Sequence, residues 1–240
     1  MSSPKEIIYK ALNEGRNKLL EHEAYDLVKI YGIPTPRYGL AVNVDEAVEL
    51  AEKIGYPIVL KIVSPDVIHK SDVGGVILNL NSSKEVRESF NKILSNVRKA
   101  LPKARVVGVL VQEMVPQDLE VIVGATRDPI FGPVVMFGLG GIFVEVLKDV
   151  SFRVVPLTER DAEEMLKEIK GRQLLEGYRH LKPRDKKALV NIILGVAKLM
   201  EENEEVTELD LNPIMVFPKG MGAKVVDVRV IIKKHEGRHH

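Results

Sequence analysis

A lysine, a histidine and a pair of glycines fall close together in the segment PIVLKIVSPDVIHKSDVGGVILN, residues 57–79. Lys61 ends a short apolar, β-branched run and Val76 opens another, so the segment reads strand, polar loop, strand. The loop carries His69, Lys70, Ser71 and Asp72, then Gly74 and Gly75. A lysine beside backbone without Cβ atoms suits a polyphosphate, because glycine N–H groups can approach its oxygens closely. The histidine adds something else. A nucleotide clamp has no use for an imidazole in its phosphate loop, whereas a phosphoryl relay needs one. Each residue also has an ordinary structural reading: a solvated loop histidine, a Gly-Gly turn, a surface lysine at a strand end. The spacing alone leaves both readings open.

A second cluster lies in EVTELDLNPIMVF and AKVVDVRVII. Glu208, Asp210 and Asn212 alternate along a strand, which places them on one face. They fit either a solvated face or a ligand set. Asp227 argues for the ligand set, because it falls in an otherwise apolar run where an unpaired carboxylate would cost several kcal/mol. Asn and Asp oxygens on neighbouring strands suit Mg²⁺, which takes few protein ligands and keeps waters and phosphate oxygens. A third segment, Phe137-Gly138-Leu139-Gly140-Gly141, lacks the context of a dinucleotide fingerprint or a P-loop. It reads as a hairpin corner or as part of a nucleotide site.

The elements that would position these groups follow from periodicity and caps. Residues 5–20 are expected to form a peripheral helical arm. A helix over 21–31 places Ala24, Leu27, Val28 and Tyr31 on one face and stops at Gly32 and Pro34. A strand at 38–42 precedes a helix capped by Asn43 and lined by Ala47, Val48, Ala51 and Ile54. Ser82 caps the next helix, whose stripe is Val86, Phe90, Ile93, Leu94 and Val97. An apolar strand follows at 105–112. Residues 113–118, which include Pro116, form an expected hinge into a strand at 119–125. Further strands are expected at 133–138, 142–147 and 152–155 as an antiparallel meander, then at 205–211, 213–217 and 224–231. Helices are expected at 158–170 and 184–200. The reading is α+β in two lobes, 21–112 and 119–232, with a nucleotide between them, the arm at 1–20 and a tail at 233–240.

Composition excludes several classes. Lys and Arg number 35 against 34 Asp and Glu, a net charge of +1, which leaves no nucleic-acid footprint. The chain has no cysteine, so disulfides, thiolate metal sites and a cysteine nucleophile are out. With 29% charged residues and no Trp, the composition fits a thermophile. The first residues carry no apolar signal core, and the most apolar stretch, 133–147, is broken by glycines and Glu145. A cytoplasmic location without a membrane partner is therefore expected. Three of the six histidines fall in the terminal HEGRHH and are left out of the site.

Four motifs in this order, KIVSPDVIHKSDVGGV, VQEMV, FGLGGIFVEVLKDVSFR and ELDLNPI, resemble an ATP-grasp domain. In particular, over residues 22–232, the chain is similar to the β subunit of ADP-forming acetyl-CoA synthetases, relatives of succinyl-CoA synthetase. The resemblance implies that Lys61, with Gly74 and Gly75, contacts ATP phosphates. It implies that Glu113 and Val115 offer backbone groups to adenine, that Glu120 binds ribose, and that Asn212 and Asp227 hold Mg²⁺. His69 matches a phosphorylatable histidine that passes a phosphoryl group between an α-subunit histidine and ADP, and Asp210 would orient or charge-stabilise it. An α subunit with CoA-binding and phosphohistidine domains is implied, in an α2β2 heterotetramer. Nothing in this chain reads as a CoA-binding Rossmann module, since no GxGxxG opens a helix after a strand. The rivals are a self-contained carboxylate–amine ligase, a nucleotide-sensing subunit without catalysis and a plain structural subunit. The first of these would not need His69.

Overall fold

The computed structural model describes residues 2–67, 69–141, 148–179 and 181–234. It divides into two compact units, one of residues 1–35 with 116–240 and one of residues 36–115. This corrects the expected boundaries at the N-terminal side. Residues 21–35 belong with the C-terminal unit, and 1–20 are no peripheral arm. Helix α1 (Pro4–Asn13) begins with a Ser3–Glu6 capping box and buries Ile8 and Ala11 completely. The chain after it joins the sheet, with Leu19 N–H donating to the Val230 carbonyl at 3.1 Å. Lys5 and Tyr9 reach Glu205 at 2.8 and 2.7 Å. The arm expectation failed because α1's apolar stripe is short and its partners lie about two hundred residues away.

The smaller unit is a four-stranded antiparallel sheet in the order β1 (Tyr38–Ala41), β4 (Gly108–Glu113), β2 (Ile58–Val63), β3 (Val76–Leu80). Helices α3 (Val44–Ile54) and α4 (Ser83–Ala100) pack with this sheet. Both begin as the sequence dictates: the Asn43 side chain accepts from Asp45 and Glu46 N–H, and the Ser82 hydroxyl from Glu85 N–H. Val86, Phe90, Ile93 and Val97 of α4 meet Ile58, Leu60 and Ile62 of β2 in one core. Strand period two then turns Val59, Lys61 and Val63 to the other face.

The larger unit holds a six-stranded antiparallel sheet. Its main order is β10 (Val228–Ile232), β8 (Val206–Val216), β5 (Leu119–Asp128), β6 (Gly132–Leu139), β7 (Val150–Val154), and β9 (Ala223–Val225) pairs with β8. Helix α2 (Glu21–Ile30) packs on β10, α5 (Glu159–Glu168) on the edge strand β7 and on β6, and α7 (Lys186–Glu202) on β5, β6 and β8. A 3-10 turn at Lys170–Arg172 and a one-turn α6 (Gln173–Glu176) intervene, both too short to leave a period in the sequence. Of the meander expected at 133–138, 142–147 and 152–155, the first and last strands are β6 and β7, which pair antiparallel; the expected strand at 142–147 lies outside the described residues. The two strands expected at 205–217 are one continuous β8, and the one expected at 224–231 is two, interrupted at Val226 and Asp227.

Candidate functional site

In the smaller unit, Lys61 lies within β2 rather than at its end and is 7% exposed. The loop that follows is pinned on both sides of His69. Val67 is buried in the core, and the Lys70 carbonyl accepts the Gly75 N–H at 2.7 Å. His69 itself is exposed. Gly75 then hands its carbonyl to Ile62 N–H at 2.7 Å, and Gly74 N–H donates to Ser71 at 3.0 Å.

Those bonds correct the expected role of Gly74 and Gly75. Both N–H groups are engaged inside the loop, so they are not offered to phosphate oxygens. The glycines are required for another reason. A Cβ on Gly75 would lie 2.6 Å from Ile62 Cγ2 and 2.9 Å from the Lys70 carbonyl oxygen. Gly74, at φ +61°, would place one 2.6 Å from Asn96 Nδ2, which donates to the Gly74 carbonyl at 3.1 Å. They shape the loop that displays His69. Asn96, off the apolar stripe of α4, carries no signal in the sequence for this job.

Glu113 closes β4, and its N–H donates to the Arg37 carbonyl at 2.8 Å. Its carboxylate accepts from Arg37 N–H and Nε at 3.0 and 3.2 Å. Of the backbone groups expected to meet adenine, the Glu113 N–H is thus engaged within this unit. Val115, 8% exposed, is the last residue of this unit.

In the larger unit, Glu120 of β5 sits against the glycine turn. Gly140 N–H donates to the Glu120 carbonyl at 2.8 Å, and a Cβ on Gly140 would lie 2.8 Å from Glu120 Cβ. Only glycine permits that approach. The FGLGG segment therefore closes on the side chain expected to hold ribose.

Asn212 and Asp227 are brought together by two irregularities. Between the pairs Val121–Ile214 and Val123–Leu211, Asn212 and Pro213 face the single residue Ile122, a bulge in β8. Opposite it the sheet breaks at residues 226–227. Asn212 N–H donates to the Asp227 carbonyl at 3.2 Å, and Val226 N–H to the Pro213 carbonyl at 2.8 Å. Asp227 is half-buried and its Oδ1 accepts the Val228 N–H at 3.1 Å. The expectation of a carboxylate inside an apolar strand is therefore corrected: the strand stops to accommodate it. Among the described residues no three His, Asp or Glu side chains form a ready cluster for an ion. Two adjacent oxygen-bearing side chains at a bulge fit Mg²⁺, which completes its shell with waters and phosphate.

Asp210, two residues before Asn212, faces Arg229 across β10 and Gly124 across β5. Burial pushes its carboxyl up; Arg229 opposes this and Glu208 adds to it. Arg229 is itself engaged by Glu208 at 2.6 Å, which weakens its pull on Asp210.

A profile of the ATP-grasp domain family matches residues 10–232. The β subunit of acetate–CoA ligase [ADP-forming] I of Pyrococcus furiosus is 50% identical, over 97% of this chain and 99% of its own length. Acetate–CoA ligase [ADP-forming] I of Archaeoglobus fulgidus is 52% identical over 95% of this chain, which spans only 33% of that protein. The acetyl-coenzyme A synthetase 1 of Ca. Korarchaeum cryptofilum, solved with coenzyme A and Ca-AMPCP, superposes with a TM-score of 0.92 at 50% identity. The match covers 96% of this chain and 100% of that one. The same Korarchaeum protein has been solved with Mg-AMPPCP and a phosphohistidine segment pointing towards the nucleotide site, TM-score 0.85 at 48% identity, covering 96% of this chain and 100% of that one. No helix among the described residues is long and apolar enough to cross a membrane. The fold, the two residue clusters and these likenesses agree: the chain belongs to the ATP-grasp family and, within it, to the β subunits of ADP-forming acetate–CoA ligases.

Proposed function

We propose that this chain is the nucleotide-binding subunit of a cytoplasmic ADP-forming acetyl-CoA synthetase, which makes acetate, ATP and CoA from acetyl-CoA, ADP and phosphate, reversibly. An α subunit supplies the CoA chemistry, in an α2β2 assembly. Lys61 neutralises phosphate charge, the Glu113 carbonyl and Val115 backbone hold adenine, and Glu120 holds ribose. Asn212 and Asp227 would hold Mg²⁺, which supplies charge neutralisation and orientation of the phosphate oxygens when bound.

The chain's own chemistry centres on His69. Its neutral imidazole nitrogen attacks the phosphorus delivered from the α subunit, forming a P–N bond as the donor's P–N bond breaks. A β-phosphate oxygen of ADP then attacks that phosphorus; the P–O bond of ATP forms, the P–N bond breaks, and the imidazole is left neutral. Such transfers depend on positioning and charge stabilisation more than on covalent help from the protein. Asp210, on the sheet face that carries Asn212, would accept the N–H of the second imidazole nitrogen as a carboxylate and fix the tautomer. The observation that carries this reading is an exposed His69 on a loop pinned by Val67 and by the Lys70–Gly75 hydrogen bond. A carboxylate–amine ligase or a nucleotide sensor has no use for such a display.

The test is labelling of the complex with radiolabelled Mg-ATP. An acid-labile, base-stable label is expected on this chain. His69→Ala should remove it and abolish acetyl-CoA turnover, with ATP affinity kept within about tenfold, or ~1.4 kcal/mol. Full turnover by His69→Ala would return the residue to an ordinary loop histidine.

A further inference from the structure

One face of the larger sheet is covered by α5 and α7; the other carries Asp210 and Asn212 and changes character towards its far edge. The registers place Arg229, Asp210, Gly124, Met136 and Phe152 in one row across β10, β8, β5, β6 and β7. The next row holds Glu208, Thr126, Val134 and Val154. Around Asp210 these rows are polar. On β6 and β7 they are apolar, and Phe152 and Val154 are 54% and 46% exposed. The β5–β6 turn lies at the Val154 end of the same edge, since Val155 N–H donates to the Pro133 carbonyl at 2.8 Å. It exposes Ile130 by 82% and Phe131 by 64%. This turn is held in shape: Asp128 Oδ1 accepts the Ile130 and Phe131 N–H groups at 2.8 and 2.9 Å. Four large apolar side chains displayed together on a fixed frame mark an association surface rather than scattered surface residues.

We propose that this edge, formed by Ile130, Phe131, Phe152 and Val154, is where the α subunit seats. The proposal rests on reading the chain as a β subunit. Its support is that the same domain occurs free-standing, as in the Pyrococcus β subunit it covers to 99%, and as 33% of the single-chain Archaeoglobus enzyme. In the single-chain form a polypeptide about twice its size accompanies it, and a separately made β subunit such as the Pyrococcus one must gather its partner through a surface of its own. The edge also has the right place. It is three strands from β8, about 15 Å at ~4.8 Å per strand, on the face that bears Asp210. A partner anchored there presents a phosphoryl-bearing segment to that face without crossing α5 or α7. The depletion of charge among the four residues matches the centre of a protein–protein interface.

The test co-expresses the chain with the α subunit encoded in the same genome and measures their affinity by analytical ultracentrifugation. Phe131→Glu with Phe152→Glu should weaken α binding at least ~100-fold, as loss of paired hot-spot residues does. Mg-ATP affinity and melting temperature of the isolated chain should not change. Met221→Glu and Leu78→Glu, equally exposed but elsewhere, should bind α normally. Wild-type affinity in the double variant overturns the proposal and leaves the β-subunit reading intact; so does a double variant that merely dissociates a dimer of this chain. Failure of the wild-type chain to bind any α subunit removes both. Should the double variant melt early, hydroxyl-radical footprinting of the wild-type complex decides: Phe131 and Phe152 must be protected, and unprotected rings refute the assignment.

Discussion

Gly140→Ala tests the link between the glycine turn and nucleotide binding. A Cβ there would lie 2.8 Å from Glu120 Cβ, 3.1 Å from its carbonyl carbon and 3.2 Å from its carbonyl oxygen. Two of these three atoms are backbone in β5, which is paired on both sides by β6 and β8 and cannot withdraw. The Gly140 N–H is bonded to the same carbonyl at 2.8 Å, so relief requires that bond to lengthen or break. Overpacking of this kind costs about 1–3 kcal/mol, and the lost bond about 1 kcal/mol more. The sum, ~2–4 kcal/mol, is below the ~5–15 kcal/mol stability of an ordinary domain, so the variant folds with Glu120 displaced. Urea unfolding should show that loss. Titration calorimetry should show Mg-ATP binding weakened at least ~10-fold. Gly124→Ala is the stability control: its nearest neighbour, Met136 Cε at 3.4 Å, is the end of a flexible side chain, and stability should hold within about 0.5 kcal/mol. Unchanged stability in Gly140→Ala would refute the packing argument. A stability loss with unchanged ATP affinity would separate Glu120 from the nucleotide.

Asn212→Ala or Asp227→Asn should depress phosphorylation of the chain by about 100-fold at limiting Mg²⁺, partly recovered at high Mg²⁺, as expected for a lost charge-assisted ligand; identical Mg²⁺ titrations in both variants would remove these residues from the metal. Asp185 accepts N–H groups from Ala188, Gly220 and Gly222 at 3.2, 2.9 and 2.8 Å. Burial opposes its ionisation, but the Gly222, Ala188 and Gly220 N–H bonds outweigh it and hold the carboxyl below its usual 3.8. A depressed carboxylate contributes stability above its unfolded pKa and loses it as pH falls through the native value. Asp185→Ala should therefore cost about 1–3 kcal/mol at pH 7, and its urea midpoint should converge on the wild type as pH falls below 3.8. Parallel curves at every pH would refute this role of the Asp185 carboxylate.

The local signals were the legible part. The stripe of α4, the Asn43 and Ser82 caps, and the apolar run of β2 each arise within one or two turns or strands, and they formed as read. The site residues were legible as chemistry, through types and order. Their supports were not. Gly75 looked like a phosphate cradle because glycine N–H groups suit anions; that Ile62 and the Lys70 carbonyl occupy the space of its Cβ depends on how the loop folds back. Asp227 looked buried and costly because its neighbours are apolar. The bulge at Asn212–Pro213, set by pairing with β5, interrupts the neighbouring strand and gives the carboxylate its room. The N-terminal residues were misplaced for the same reason: α1 and α2 carry faces whose partners enter only with Glu205, Val226 and Val230.

The division of the chain has a consequence for how the protein is made. The smaller unit is one continuous stretch, 36–115, whereas the larger needs residues 1–35 together with those after 116. On the ribosome the smaller unit can therefore close its sheet first. Meanwhile α1 and α2, already emerged, wait with Ile8, Leu27 and Val28 unburied until β10 is synthesised near residue 232. At about 5–20 residues per second the roughly 200 intervening residues make that wait about 10–40 seconds. Until then those two helices stay open to chaperones in the nascent chain, and their docking joins residues 200 positions apart, as in the Lys5–Glu205 pair.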